Sequence, residues 1–487
     1  MTEHALSRMA EVCRQRNEMV MASHASGSMS LDAFAEAQAE KVRHNRQAGA
    51  LRDASDFVES AVSYARQLLG EEDAQRLQEA LKEKVICTAD HHGSLYCSQF
   101  LQSDLLFALI MEKLGERNPY VPVLAAGQVE LENSTYARGI CAYRSRENKQ
   151  FLPLFPAKYS VTLASHVEPV SKDMVDRFRK RFVKEGEDLR LRQILDDMCR
   201  ELYEADEIWN AKTFADQTTL VGRRLMKHLL SEDAPSVVYL EMETVILPLL
   251  LNELREEDSL IYQMLYDPKV RSALIQTKLP DGLSLGDLLF RAADEKGRKF
   301  MLSLQEDGTL TGKDWRKEEV SFSTEPEALT ALLKEKRVFP GVFAETVLLL
   351  FERGITWIGG MFQAVYLPHW QTALAAVLSE CGMEKEAEQI RAYDCSGYVC
   401  GPMMMLYQGD GFATTAGPVE LWRHPVPFEK IRQLAKQTTL WDAHLIGLSE
   451  MYFDLTVREE REPDWYRVIA EELYRRYPEN MVADDRE

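Results

Sequence analysis

No apolar stretch in this chain approaches the roughly 20 residues that a bilayer-spanning helix needs. The longest are Val245-Ile246-Leu247-Pro248-Leu249-Leu250-Leu251 and Thr346-Val347-Leu348-Leu349-Leu350-Phe351, which are of core length only. Met1-Thr2-Glu3-His4 leads into charged residues instead of a signal-type apolar segment, so the expected location is the cytoplasm, with no membrane partner. Cysteine is sparse. The eight, at 13, 87, 97, 141, 199, 381, 395 and 400, sit mostly in apolar runs such as Val85-Ile86-Cys87 and Tyr398-Val399-Cys400, which points to buried reduced thiols and not to a disulfide framework. Positive charge is in deficit: 58 Lys and Arg against 78 Asp and Glu leave a net charge of −20. Such a surface repels phosphate backbones, so nucleic acid is excluded as an expected partner, while a small substrate meets only its local field.

Several motifs are also missing. There is no Walker loop and no G-x-G-x-x-G, so no nucleotide cofactor is indicated, and neither a G-x-S-x-G elbow nor an H-E-x-x-H helix occurs. Internal repeats and low-complexity linkers are absent as well.

What remains is an ordinary globular composition over 487 residues, 45% hydrophobic and 28% charged, enough to bury a large core. The pattern divides into four stretches. Residues 1–84 form a helical N-terminal region: Ser30 and Asp53 or Ser55 are cap residues, Phe57, Val58, Ala61, Tyr64 and Leu68 recur at helical spacing, and Gly70 is a stop. Residues 85–165 read as an α/β crossover unit. Lys84 to Ala89 is a short buried strand, Leu105 to Ile110 a helix, Val121 to Ala126 a second strand, and Ala137 to Tyr143 a third extended segment. Residues 166–323 are helical, with a strand at Val237 to Leu240 and hairpin signals at Glu306-Asp307-Gly308 and Thr311-Gly312. Residues 324–487 mix helices with glycine-rich turns. The expected class is α/β, a parallel or mixed sheet with flanking helices, a helical N-terminal region and a mixed α+β C-terminal block.

The first candidate site is Asp90-His91-His92-Gly93, where the first strand ends. Ligands gather beyond the carboxyl ends of parallel strands, because loops converge there without disturbing the sheet. A carboxylate and two imidazoles suit a divalent metal (Zn²⁺, Mn²⁺ or Fe²⁺) or an acid/base pair in which Asp orients His. Adjacent residues on an extended chain point opposite ways, which sets His91 and His92 apart. The plainer alternative is a capping Asp90 with one packed and one solvated histidine. The four residues resemble the signature of the DHH phosphoesterases, which bind manganese. The resemblance covers those residues and the strand before them; the partner Asp-x-Asp strand and the downstream glycine-histidine signature are missing, so the family is not carried over.

Two further segments complete the expected site. The loop Gly127 to Gly139 offers Asn133 and Arg138 as substrate-binding groups, Arg138 as a clamp for a carboxylate or phosphate. The alternative is a polar turn satisfying its own backbone. Gly354 to Trp370 supplies Gln363 and Tyr366 for substrate and His369 as a further catalytic group; Pro368 as a first helical residue would place His369 at the electropositive end. A glycine-softened helix packing its aromatics is the alternative. Glu241 and Glu243 share a face if the strand continues through them, as a carboxylate pair or a solvated edge. The expected function is an enzyme acting on a small polar or anionic metabolite, by metal-assisted hydrolysis or lyase chemistry at Asp90, His91 and His92. Against it stands a non-catalytic binding or assembly protein with helical docking surfaces; a homo-oligomer fits either.

Overall fold

A computed structural model describes residues 2–92, 95–115, 120–132, 138–143, 150–185, 189–231 and 234–484. Its strands, in chain order, are β1 (Val85–Cys87), β2 (Tyr120–Ala125), β3 (Gly139–Ala142), β4 (Gln150–Pro153), β5 (Ser236–Glu241), β6 (Phe290–Ala293), β7 (Lys299–Leu304), β8 (Thr309–Lys313), β9 (Glu319–Ser323), β10 (Val338–Pro340), β11 (Thr356–Gly360), β12 (Tyr398–Cys400), β13 (Leu406–Gly409), β14 (Phe412–Thr415) and β15 (Met481–Asp484).

The central sheet has the order β12-β11-β1-β2-β5, and every pairing in it is parallel. Its residues are almost all buried, which explains why β1, β2 and β5 read as continuous apolar runs and not as alternating ones. Helices flank it: Ser98–Leu114 packs on β2 and β12, Phe214–Leu229 on β5, and Gln363–Glu380 on β11. The expected α/β class is the one adopted. Among the described residues no helix is long and apolar enough to cross a membrane.

Counted along the chain, these five strands stand in the spatial order 3-2-1-4-5. The connections therefore reverse direction between β1 and β11. At such a point the loops leaving two neighbouring strands diverge and open a crevice at their carboxyl ends.

A second sheet, β10-β6-β7-β8-β9, is antiparallel throughout; Gly308, at φ +83°, closes the β7–β8 turn that Glu306-Asp307-Gly308 predicts, whereas Thr311-Gly312 lies inside β8, paired on both sides, and marks no turn. The C-terminal block contributes a mixed sheet, β14-β13-β15. The third extended segment enters no parallel pair: β3 forms an antiparallel hairpin with β4.

Two local expectations are corrected. The glycine-rich stretch at 354–370 is not one softened helix, because Thr356–Gly360 is β11, inside the central sheet. The helix that follows begins at Gln363 and runs through Pro368, so Pro368 is an interior residue and not the first one. His369 is then six residues past the first residue of the helix, away from the terminal N–H groups.

Candidate functional site

The crevice at the carboxyl edge of the central sheet holds a cavity of about 320 Å³. Thr88 and His91 reach it from the end of β1, Ala126, Gln128 and Val129 from β2, and Met242 from β5. Trp357 on β11, and Gln363, Tyr366 and Trp370 on the helix after it, form one wall. The antiparallel sheet closes the other side with Arg291 from β6, Lys299 from β7, and Phe343 and Glu345 after β10. The volume is at the small end for ligand pockets (about 300–1,000 Å³), and the mixture of aromatic walls with a few polar groups is typical of them.

The switch point itself is tightly built. Thr88 Oγ1 donates to Gln363 Oε1 at 2.8 Å, tying the loop after β1 to the helix after β11. A Cβ on Gly359 would lie 1.5 Å from Gln363 Oε1 and 2.6 Å from Thr88 Oγ1, so only glycine leaves room for that bond. On the helix, Gln363, Tyr366 and Trp370 fall on one face, with the last two rings 4.4 Å apart. His369 is turned about 100° from Trp370, is exposed, and does not line the cavity.

The three described residues of the Asp90-His91-His92-Gly93 cluster go separate ways. His91 lines the cavity, its ring 5.5 Å from that of Phe100, and burial followed by the nearby Lys299 charge lowers its pKa to about 4. His92 points elsewhere and is buried, with Nε2 2.9 Å from the Ala215 carbonyl oxygen. Asp90 is buried beside Cys87 and Asp104. The expected metal set of Asp90, His91 and His92 is therefore split: among the described residues, the grouping with ligand spacing is Cys87, Asp90 and Asp104, with no histidine in it. Gly93 lies outside the described residues.

The loop after β2 is committed differently from expectation. Gly127 N and Gln128 N donate to the Glu243 carboxylate at 2.9 and 2.7 Å, so a protein carboxylate occupies the amides that a ligand would need. A Cβ on Gly127 would lie 2.7 Å from Glu241 Oε1 and 2.9 Å from Glu243 Oε2. β5 ends at Glu241 and a helix starts at Met242, so the two glutamates do not lie on one extended edge, and Glu241 is buried, not solvated. Arg138 pairs with Glu132 and donates from Nε to the Phe155 carbonyl at 2.9 Å; it lines a separate cavity of only about 20 Å³ with Tyr96 and Tyr203. Asn133 lies outside the described residues.

The groups missed from the sequence are the charged ones of the cavity. Glu345 is buried, accepts from Gln128 Nε2 at 2.6 Å, and is held well above the usual carboxylate range by burial and then by Glu243. Lys299 Nζ donates to the Gln128 carbonyl at 3.1 Å, and Arg291 Nη1 donates to the carbonyls of Asp287 and Phe290. Among the described residues neither cation has a carboxylate oxygen within 4.0 Å, and burial lowers the pKa of both. The Trp357 indole Nε1 is buried with no hydrogen-bond partner among the described residues. Only Glu345 carried a legible signal, a lone acid within Phe343-Ala344-Glu345-Thr346-Val347-Leu348. Arg291 and Lys299 look like ordinary hairpin residues.

Compared with known protein families and with curated proteins, the chain matches none. Fold and cavity define its class: a doubly wound α/β protein with a ligand-sized cavity at the switch point.

Proposed function

We propose that the protein is an enzyme acting on a small anionic metabolite held in the switch-point cavity. Arg291 and Lys299 take the carboxylate or phosphate, while Glu345 and His91 stand where a proton can be exchanged with the bound molecule. The observation that carries this reading is that two half-buried cations line one partly enclosed cavity, with hydrogen bonds made to backbone carbonyls and no carboxylate oxygen within 4.0 Å among the described residues, while Glu130, Glu243 and Glu345 act on Lys299, and Asp287 on Arg291, from farther off. Burying a charge is costly unless it is paired, and a ligand anion is the natural partner here. The orphaned Trp357 N–H adds a donor in the same wall. The aromatic side favours a ligand with a flat or apolar body, and proton transfer to such a molecule is lyase-type or hydrolase-type chemistry.

A panel of small carboxylates and phosphate esters, screened by thermal shift and followed by calorimetry, tests the reading. Arg291→Met and Lys299→Met should each weaken the best ligand by about 1.5–3 kcal/mol, the range for a charge-assisted hydrogen bond, or roughly 10–100-fold. Glu345→Gln should keep affinity and lose turnover. Affinity indifferent to both cations would sink the proposal.

A further inference from the structure

Lys299 and Glu345 reach the switch-point cavity from a common anchor. The Gln128 carbonyl accepts from Lys299 Nζ at 3.1 Å, and Gln128 Nε2 donates to Glu345 Oε1 at 2.6 Å. Cation and carboxyl are thus neighbours in the cavity wall, although no ion pair within 4.0 Å joins them. Burial, followed by Glu243, keeps the proton on the Glu345 carboxyl against the weaker pull of Gln128 and Lys299. With Oε1 taken by Gln128, that proton sits on Oε2. On the aromatic wall, the Gln363 oxygen accepts from Thr88 Oγ1 at 2.8 Å, which leaves its amide N–H groups for Tyr366. Burial raises the Tyr366 hydroxyl pKa, Gln363 opposes this as a hydrogen-bond donor, and Glu345 adds to it, so Tyr366 also keeps its proton. In the same wall Trp357 is 2% exposed, and its Nε1 has no hydrogen-bond partner among the described residues.

We propose that the anion bound here is a small α- or β-hydroxy or oxo acid, with its carboxylate on Lys299 and Arg291 and its second oxygen on Glu345 and Tyr366. The inference rests on the function proposed above and names its substrate class. Two cations account for a carboxylate. Two neutral O–H groups are donors for an oxygen without full charge, which is a hydroxyl or a carbonyl. Because Gln128 holds Lys299 and Glu345 together, the two oxygen groups of the ligand must also be close, on neighbouring carbons or one carbon apart. A phosphate, charged on its free oxygens, is better matched by cations than by neutral O–H groups. Trp357 Nε1 gains an acceptor from either oxygen of the acid. Size sets the rest. At about 30 Å³ per water in the liquid, a cavity of about 320 Å³ has room for about ten waters, so the body is a short chain or a single ring and not a nucleotide. The rings of Tyr366 and Trp370, 4.4 Å apart, favour the single ring.

The test titrates the full chain by calorimetry with phenylacetate, mandelate, phenylglyoxylate and phenyl phosphate. Mandelate or phenylglyoxylate should bind at least about fivefold tighter than phenylacetate, which lacks the second oxygen. Tyr366→Phe and Glu345→Leu should each cut that preference to about twofold or less, with phenylacetate little changed. Glu345→Gln keeps a neutral donor and should retain the preference. Arg291→Met and Lys299→Met should weaken all three acids to the same degree. Acids that need both cations but bind without preference overturn this inference and leave the proposed function standing. A preference that survives both Tyr366→Phe and Glu345→Leu overturns it as well, and so does phenyl phosphate binding tighter than every acid. Binding by none of the acids also overturns it, and the proposed function falls with it only if the wider panel finds no ligand that needs the two cations.

Discussion

The Glu243 carboxyl holds its proton up to a pKa of about 7, because burial and then the neighbouring Glu241 outweigh the backbone N–H groups of Glu243 itself, Gly127 and Gln128 that favour its charge. The consequence for stability has a definite sign. In the unfolded chain this proton leaves near 4.5, in the folded chain near 7, so between those values the folded state binds more protons. Stability contributed by this group therefore falls as pH rises through that window. Glu243→Gln keeps an acceptor for Gly127 and Gln128 but cannot ionise. Its stability relative to wild type should rise between pH 4.5 and 8 by on the order of 1–3 kcal/mol, read from urea midpoints at the two ends. An equal difference at both pH values would assign the cost to other groups.

Elements are pinned to each other by charges as well as by apolar packing. Arg353 follows a π-helical turn, Val347–Phe351, and is only 2% exposed. Its Nη2 reaches Asp56 Oδ2 at 2.6 Å on the helix Ser55–Leu69 and Glu253 Oε1 at 2.5 Å on the helix Met242–Glu253. Its Nη1 donates to the Leu348 carbonyl at 2.9 Å, and Glu352 stands beside it, likewise buried. Three elements far apart in sequence thus share one guanidinium. Arg353→Met would leave Glu253 and Glu352 buried with less compensation, so a loss of about 3–5 kcal/mol is expected in denaturant melts. Adding Glu253→Gln should recover part of it. A single variant that melts like wild type would show the network to be marginal.

For the molecule as a whole, the N-terminal helices are parts of one structure and not an appendage. Leu31 N donates to the Thr438 carbonyl, and Leu440 N donates to that of Met29. Asn45, fully buried on the helix Leu31–Ala48, donates to Thr356 Oγ1 on β11 at 3.2 Å and to the Asp394 carbonyl at 3.0 Å. Arg8 and Arg16 pair with Glu462 and Glu460 near the other end of the chain. Removing residues 2–53 should therefore expose apolar core and leave a chain without a cooperative melt. A truncated protein that unfolds sharply at the wild-type temperature would refute this.

The sequence by itself determined what is local. Apolar, β-branched runs placed β1, β2 and β5, the Ser30 cap, helical spacing and Gly70 placed the early helices (Ala54, and neither Asp53 nor Ser55, is the N-cap of Ser55–Leu69), and turn residues placed the β7–β8 hairpin. The strand-end position of His91 and the polar tips of Gln363 and Tyr366 were also legible, because a strand terminus and its loop are written in consecutive residues. Only the tertiary structure decided the rest. It inserted β11 beside β1 across some 270 residues, turned His91 and His92 apart, kept His369 in solvent, and brought Arg291, Lys299 and Glu345 over the sheet edge. Periodicity records which residues are to be buried but not what they are buried against. A cation on a hairpin has the same local pattern whether it faces water or a cavity, so its neighbours are settled only when the two sheets pack.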